Sequence, residues 1–265
     1  MSKIAVIIPM FGKAEYTKKC VDMTLVNAGV TVTILVVDDG SPEPFKYEDE
    51  RVFIHRLEKN SGFTAATNAG ILWAQKRDYD YVLTLNNDTE PCELFAKHLL
   101  DCAEADPLIG IACSVRVHPT RGADKYELVG SDLIRGYQYF TDAEGLAKFP
   151  AFVEANWIPI CSGLIRMDMI REIGILDKRF RNHCSDSSYC LWAKINHWKV
   201  GLVPKSKVIH HMSITTTANN ILVDDDQRLF LEKLAGIDYA KICQAMPLDG
   251  EAKTYGKLSF EVYKK

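Results

Sequence analysis

The chain has 265 residues, 47% hydrophobic, 25% charged and 10% aromatic, a balance that excludes disordered and fibrous classes and allows a sizeable core. With 32 Lys and Arg against 35 Asp and Glu, the formal net charge is −3, and no global positive field exists to draw nucleic acid. The longest apolar run, Ile4 to Phe11, is far short of the about 20 residues a membrane span needs, and it leads into a charged segment instead of a signal-peptide cleavage site. These features point to a cytoplasmic protein, or one peripheral at a membrane. The eight cysteines show no CxxC pairing and sit mostly in apolar stretches, as reduced core thiols do.

The N-terminal half alternates β-branched runs with segments of helical spacing, the pattern of βαβ units and a largely parallel sheet. Ile4 to Pro9 predicts a first strand. Glu15 to Ala28 predicts a helix with Tyr16, Cys20 and Met23 on one face, ended by Gly29. Val32 to Val37 is a second strand running into Asp38 and Asp39, and Arg51 to His55 a third. Phe63 to Lys76 is a helix that Asn60 or Ser61 could cap. Its small residues, Gly62, Ala65, Ala66, Ala69 and Gly70, suit close approach to either a sheet or a ligand. Tyr81 to Leu85 is a fourth strand ending in Asn86, Asn87 and Asp88. A helix at Glu93 to Ala105 and a strand at Ile109 to Val115 complete the unit. From Arg116 to Ala155 the periodicity fades, as in an irregular insertion. Order returns at Trp157 to Met167, with helices at Asp168 to Ile173 and Ser185 to Asn196 and a strand near Lys207 to His210; residues after Ser213 read as helical and mixed.

Ligands of open α/β sheets collect outside the carboxyl ends of the strands. Two strands here end in acids, although Asp and Asn also populate ordinary turns. The segments IIPMFGKAEYTKKCV, VVDDGS, NSGFTAATNAGI, LTLNNDTEP, CSGLIRMDMIREIGILD and CSDSSYCLWAKINHWKVGLVPKSKVIHH occur in an order and spacing that resemble family 2 glycosyltransferases of the GT-A fold, over about Ile4 to Ser213.

The resemblance implies a three-layer α/β GT-A, Rossmann-like fold with a central, mostly parallel sheet. Residues 1–213 would form that domain and 214–265 a helical extension packed on it. The implied activity is transfer of a sugar from a UDP- or dTDP-sugar to an acceptor hydroxyl on a glycan or lipid-linked acceptor, with inversion, in polysaccharide or glycoconjugate synthesis. The NNDTEP form leans toward rhamnosyltransferase-like relatives. Leaving diphosphate charge calls for a divalent cation, Mn²⁺ or Mg²⁺. Asp88 matches the last acid of the metal-binding DxD motif, Asn86 takes the place of its first, Asn87 lies between, and His210, or alternatively His211, matches a histidine completing the metal site. Asp39 and Asp38 match base-recognising acids, and Pro9, Met10 and Phe11 the edge of the nucleotide pocket, where Phe11 stacks on the base or packs in the core. Asn60, Gly62 and Asn68 match the segment beside the nucleoside and donor sugar. Asp186 matches the first Asp of the EDxD-like catalytic segment, a general base toward the acceptor; alternatively it is a first-turn carboxylate favoured by the helix dipole. Trp157, Ser162 and Gly163 match a segment that shapes the donor and acceptor cleft, Trp157 either stacking on a sugar or packing in the core.

Ser185 and Ser188 depart from the acids usual at those positions, which with Asn86 keeps open a catalytically silent nucleotide-sugar-binding module. A sugar-phosphate nucleotidyltransferase is a further reading, opposed by the single Gly in MFGKAEYTKK, where a Gly-rich basic loop would hold triphosphate. Donor sugar, acceptor, linkage and oligomeric state are left open.

Overall fold

Every residue of Ile4–Met10 (β1) is buried, and alternate side chains enter opposite cores. The computed structural model describes residues 2–117, 126–131, 135–211, 220–235 and 253–257. After β1 come α1 (Ala14–Asn27), β2 (Val32–Asp38), β3 (Val52–Arg56), α2 (Phe63–Gln75), β4 (Tyr81–Leu85), β5 (Thr89–Pro91), α3 (Phe95–Ala105) and β6 (Ile109–Val117). They are followed by β7 (Tyr126–Ser131), β8 (Arg135–Thr141), α4 (Ala143–Leu146), β9 (Val153–Glu154), β10 (Ser162–Arg166), α5 (Met167–Ile173), α6 (Ser185–Ile195), β11 (Lys199–His210), α7 (Asn220–Leu234) and β12 (Lys253–Lys257).

The strands join in the order β12-β8-β7-β6-β10-β4-β1-β2-β3, with β11 alongside β6, β5 and β9. β3, β2, β1 and β4 run parallel. β10 lies antiparallel between β4 and β6, so β6 points the same way as β4, and β11 pairs parallel with β6. One end of the sheet therefore collects the carboxyl ends of β1, β2, β4, β6 and β11 together with the amino end of β10. On one face Ala5, Ile7, Leu35 and Val37 pack with Ala66, Ile71 and Ala74 of α2. On the other, Ile4, Val6, Ile8 and Val36 pack with Cys20 and Val21 of α1 and Phe95 and Leu99 of α3. Each of the Val, Leu, Ile and Phe side chains among them contributes about 1.5–3 kcal/mol by leaving water.

Several expectations need correction. The buried face of α1 is Thr17, Cys20, Val21 and Thr24, with Tyr16 and Met23 only partly covered. Thr24 can be buried because its hydroxyl donates to the Cys20 carbonyl at 2.7 Å. The stretch read as irregular contains the β7–β8 hairpin and α4; its strands lie toward the sheet margin, where the long apolar run of a central strand is not required. The strand expected at Lys207 to His210 begins at Lys199. Within 214–265, Asn220–Leu234 is helical, whereas Lys253–Lys257 is a strand paired with β8. Phe230 and Leu234 of α7 pack against Phe180 and Leu191. No helix among the described residues is long and apolar enough to cross a membrane.

The small residues of α2 serve the sheet: a Cβ on Gly70 would collide with Ile7 Cγ2, in the centre of β1. Gly70→Ala is expected to lower stability by about 1–3 kcal/mol, the usual cost of overpacking, read as a lower urea midpoint at unchanged slope.

Candidate active site

Asp88 follows β4, and His210 ends β11, 122 residues later. Their side chains, both buried, meet with His210 Nε2 3.1 Å from Asp88 Oδ1. The Asn86 amide stands 3.5 Å from the same nitrogen. Antiparallel pairing of β5 with β11 builds the contact, since His210 opposes Thr89 and the His211 N–H donates to the Asp88 carbonyl at 3.0 Å. Burial disfavours a charged imidazole, but the Cys161 thiol and the Asp88 carboxylate beside the ring outweigh it and push the His210 pKa up to about 10.

A divalent cation fits this pair in part, and its binding would displace the proton that the raised His210 pKa keeps on the ring. The 3.1 Å separation of oxygen and nitrogen is that of adjacent ligands around an octahedral ion with bonds of about 2.1 Å. No cluster of three or more His, Cys, Asp or Glu able to hold a metal occurs among the described residues, so substrate phosphate and water would complete the shell.

Asp38 and Asp39, adjacent at the end of β2, turn to different partners. Asp38 is 0% exposed. Its carboxylate accepts the Ser41 N–H at 2.8 Å, the Phe45 N–H at 3.3 Å and the Arg56 guanidinium. Burial raises its pKa, and those donors more than reverse the shift, holding it below the usual carboxylate range. Asp39 accepts from Ser61 N–H at 2.7 Å and Gly62 N–H at 2.8 Å, one on each oxygen, which ties β2 to the start of α2. Burial dominates there and raises the Asp39 pKa against those donors and the nearby Arg181. Phe11, 40% exposed, stands just beyond β1 at the same end of the sheet.

Asp186 occupies the first turn of α6, partly exposed, with Oδ1 accepting the Ser187 N–H at 2.8 Å. Burial pushes its pKa up against that N–H and the adjacent Trp157 indole. The indole N–H is itself buried and makes no aligned hydrogen bond. Burial raises the Cys113 pKa, with Cys190, Cys161 and Asp186 adding to the shift, and the Cys161 thiol hydrogen-bonds with His210. Asp88 follows β4, and Asp186 opens the helix whose preceding loop meets the start of α2, so both carboxylates lie at the loop end of the sheet.

The profile of Glycosyl transferase family 2 matches residues 5–167, more than half of the chain. The chain belongs to glycosyl transferase family 2. It is 32% identical over 76 residues to Glycosyltransferase GlyA of Streptococcus pneumoniae serotype 4, across 26% of this chain and 11% of that protein. To Glycosyltransferase GlyG of the same organism it is 28% identical over 92 residues, across 32% of this chain and 30% of that protein. These matches therefore span under a third of each relative. Among solved structures it is similar to GalNAc-T7 with UDP, GalNAc and Mn²⁺ (TM-score 0.60, 16% identity, 80% of this chain and 44% of that one). It is also similar to S. aureus TarS 1-349 (TM-score 0.58, 12% identity, 90% of this chain and 68% of that one). At such identities the likeness is one of fold, and the fold is GT-A.

Within this family 2 chain, several residues expected in the cleft are occupied elsewhere. Asp38 is fully buried among three donors and offers no exposed edge to a base. Asn68 is clipped to Leu176, its amide donating to the carbonyl at 2.8 Å and accepting from the N–H at 3.0 Å. Asn87 donates to Thr17 Oγ1 at 3.1 Å, fastening β4 to α1. Pro9 is sealed inside β1. Ser162 is 0% exposed, with its hydroxyl 2.8 Å from that of Ser114, and Gly163 is buried between Thr84 and Cys113. Asn60 and Ser61 do not cap α2: Gly62 holds the cap position, Phe63 N–H donates to Asn182 Oδ1 at 3.0 Å, and Asn60 Oδ1 accepts from Arg181 at 2.8 Å. Arg56, Arg181, Asn182 and Asp226 went unnoticed in the sequence. Arg181 and Asn182 could have been suspected from their nearness to Asp186, whereas Asp226 lies in an acidic run resembling a solvated helix face.

Because the Asp38 pKa is depressed in the folded state, its stabilisation is full above the unfolded value of about 4 and fades as pH falls through the folded one. Asp38→Asn is expected to cost about 3 kcal/mol at pH 7, by leaving Arg56 and two N–H groups poorly matched. The same variant should show a flatter loss of urea stability between pH 5 and pH 3, in the sense of about one carboxylate fewer.

Proposed function

We propose that this chain transfers a sugar from a UDP- or dTDP-sugar to a hydroxyl of a glycan or lipid-linked acceptor, with inversion at the anomeric carbon. The observation that carries the reading is the meeting of Asp88 with His210 at the carboxyl end of the parallel strands. Family membership supports glycosyl transfer as the chemistry, and UDP with Mn²⁺ in the GalNAc-T7 structure supports a nucleotide donor with a divalent ion.

In this reading Asp88 and His210 hold Mn²⁺ or Mg²⁺, and Asn86 orients water or a donor hydroxyl beside them. When bound, the ion supplies Lewis-acid stabilisation of the departing diphosphate. Asp39 has used one lone pair on each oxygen, so a further one can accept the N3–H of a pyrimidine, with exposed Phe11 packing on the ring. Asp186 takes the proton of the attacking hydroxyl, and its raised pKa makes it a stronger base than an ordinary carboxylate. A single displacement of this kind inverts the anomeric carbon. Trp157, half-buried beside Asp186, offers its remaining surface to the acceptor.

A panel of nucleotide sugars with Mn²⁺, scored for transfer and donor hydrolysis, tests the assignment. Asp186→Asn should keep UDP affinity within about threefold while kcat drops by roughly 10²–10⁴. Asp88→Asn should weaken UDP binding only when the metal is present. For the parent, kcat/KM should fall as pH drops through the Asp186 pKa, with the acid limb above the ordinary carboxylate value of about 3.9. Binding of UDP with no turnover of any donor would instead indicate a silent binding module.

A further inference from the structure

The loop between α5 and α6 carries no regular structure, yet it touches both halves of the proposed site. Its backbone is gathered by one side chain from far along the chain. Asp226, buried on α7, accepts the N–H of Arg181 at 2.9 Å on Oδ1, and those of Asn182 and His183, each at 2.8 Å, on Oδ2. Three consecutive amides on one carboxylate fix the orientation of three peptide planes, and the charged acceptor makes each bond stronger than a neutral one.

From these peptides the contacts run in two directions. Toward the donor side, the Arg181 carbonyl accepts the Thr64 N–H at 3.0 Å, Asn182 Oδ1 accepts the Phe63 N–H, and the Arg181 guanidinium donates to Asn60 Oδ1 and to its carbonyl at 3.1 Å. Gly62 lies so close to this loop that a Cβ on it would be 2.6 Å from Arg181 Cγ, and its N–H is the one held by Asp39. Toward the acceptor side, the chain passes from His183 through Cys184, at φ 58°, into the first turn of α6 and Asp186. One helical face of α7 supports both branches. Seven residues beyond Asp226, Lys233 donates to Asp177 at 2.6 Å and to Ser188 of α6 at 3.1 Å, and Phe230 between them packs with Phe180 and Leu191.

We propose that Asp226 is a positioning residue for the transfer reaction: by holding the amides of Arg181, Asn182 and His183 it sets the Asp186 carboxylate relative to the α2 start on which Asp39 is anchored. The inference rests on the reading of Asp186 as the base. It assigns α7, outside the matched family segment, a part in assembling the site. Asp226 touches no reacting atom, and its effect passes through the loop. A misplacement of about 1 Å in a reacting group can cost on the order of 10²-fold in rate.

The test compares the full-length parent with Asp226→Asn and Asp226→Glu. Asparagine keeps one acceptor oxygen and turns an NH₂ group toward the amides, whereas glutamate keeps both oxygens on a longer arm. Hydrogen exchange followed by mass spectrometry should show Asp226→Asn protecting residues 61–66 and 181–187 less, by about tenfold or more, with β1, β2 and β4 unchanged. With UDP- or dTDP-sugar and Mn²⁺, kcat should drop about tenfold or more while the donor KM stays within about threefold, and Asp226→Glu should recover much of both losses. Faster exchange confined to 181–183 with parental kcat overturns the proposal, as does a loss in which kcat merely follows the folded fraction. If the parent turns over no nucleotide sugar, the glycosyl-transfer reading fails, and exchange at 61–66 and 184–187 decides the positioning role by itself.

Discussion

A carboxylate removed from water must be given donors, and four buried acids at or near the loop end of the sheet meet that demand in different ways. Asp38 spends its capacity on its own turn and on Arg56, and Asp226 on three loop amides. Asp39 takes two amides and keeps capacity in reserve, while Asp88 faces an imidazole. The same constraint thereby separates Asp38 and Asp226, whose donors belong to the scaffold, from Asp39 and Asp88, the acids to which the proposed function gives a ligand. It also explains why polar residues concentrate where the parallel strands end, since the apolar positions of β1, β2 and β4 farther back are committed to one of two cores.

Those cores make the loop end precise enough for chemistry. Alternate residues of β1 and β2 fill opposite faces, and α2 lies against the sheet closely enough that Gly70 has no space for a methyl group. The start of α2 is held by partners distant in sequence: Asp39 from β2 and Asn182 from the loop before α6. The starts of α2 and α6 are accordingly linked through side-chain to backbone hydrogen bonds, with α7 closing the circuit.

Much of this architecture was legible in advance. Ile4–Met10, Val32–Asp38 and Tyr81–Leu85 are central strands whose two buried faces require continuous apolar residues, and such runs stand out. The polar residues after them marked the end of the sheet where Asp88 meets His210. Harder to see was which polar residues remain available. Asn68 and Asn87 sit in motifs that suggest ligand contact, yet their amides are consumed by Leu176 and Thr17. Ser162 likewise hydrogen-bonds inside the core to Ser114. Marginal strands such as β7 and β8 escaped notice because their positions do not demand an unbroken apolar run.

Beside a candidacy of Asp39, Asp88, Asp186 and His210 that came from the resemblance to family 2 glycosyltransferases, the sequence by itself determined the alternation of strands and helices and the end of the sheet where polar groups gather. Local pattern suffices for these because burial period and turn chemistry are properties of short segments. Tertiary structure alone decided that His210 faces Asp88, that Asp38 and Asp39 part company, and that Asp226 belongs with residues 181–183. Each of those outcomes is a hydrogen bond between segments separated by up to 122 residues, and only the three-dimensional path of the chain brings donor and acceptor together.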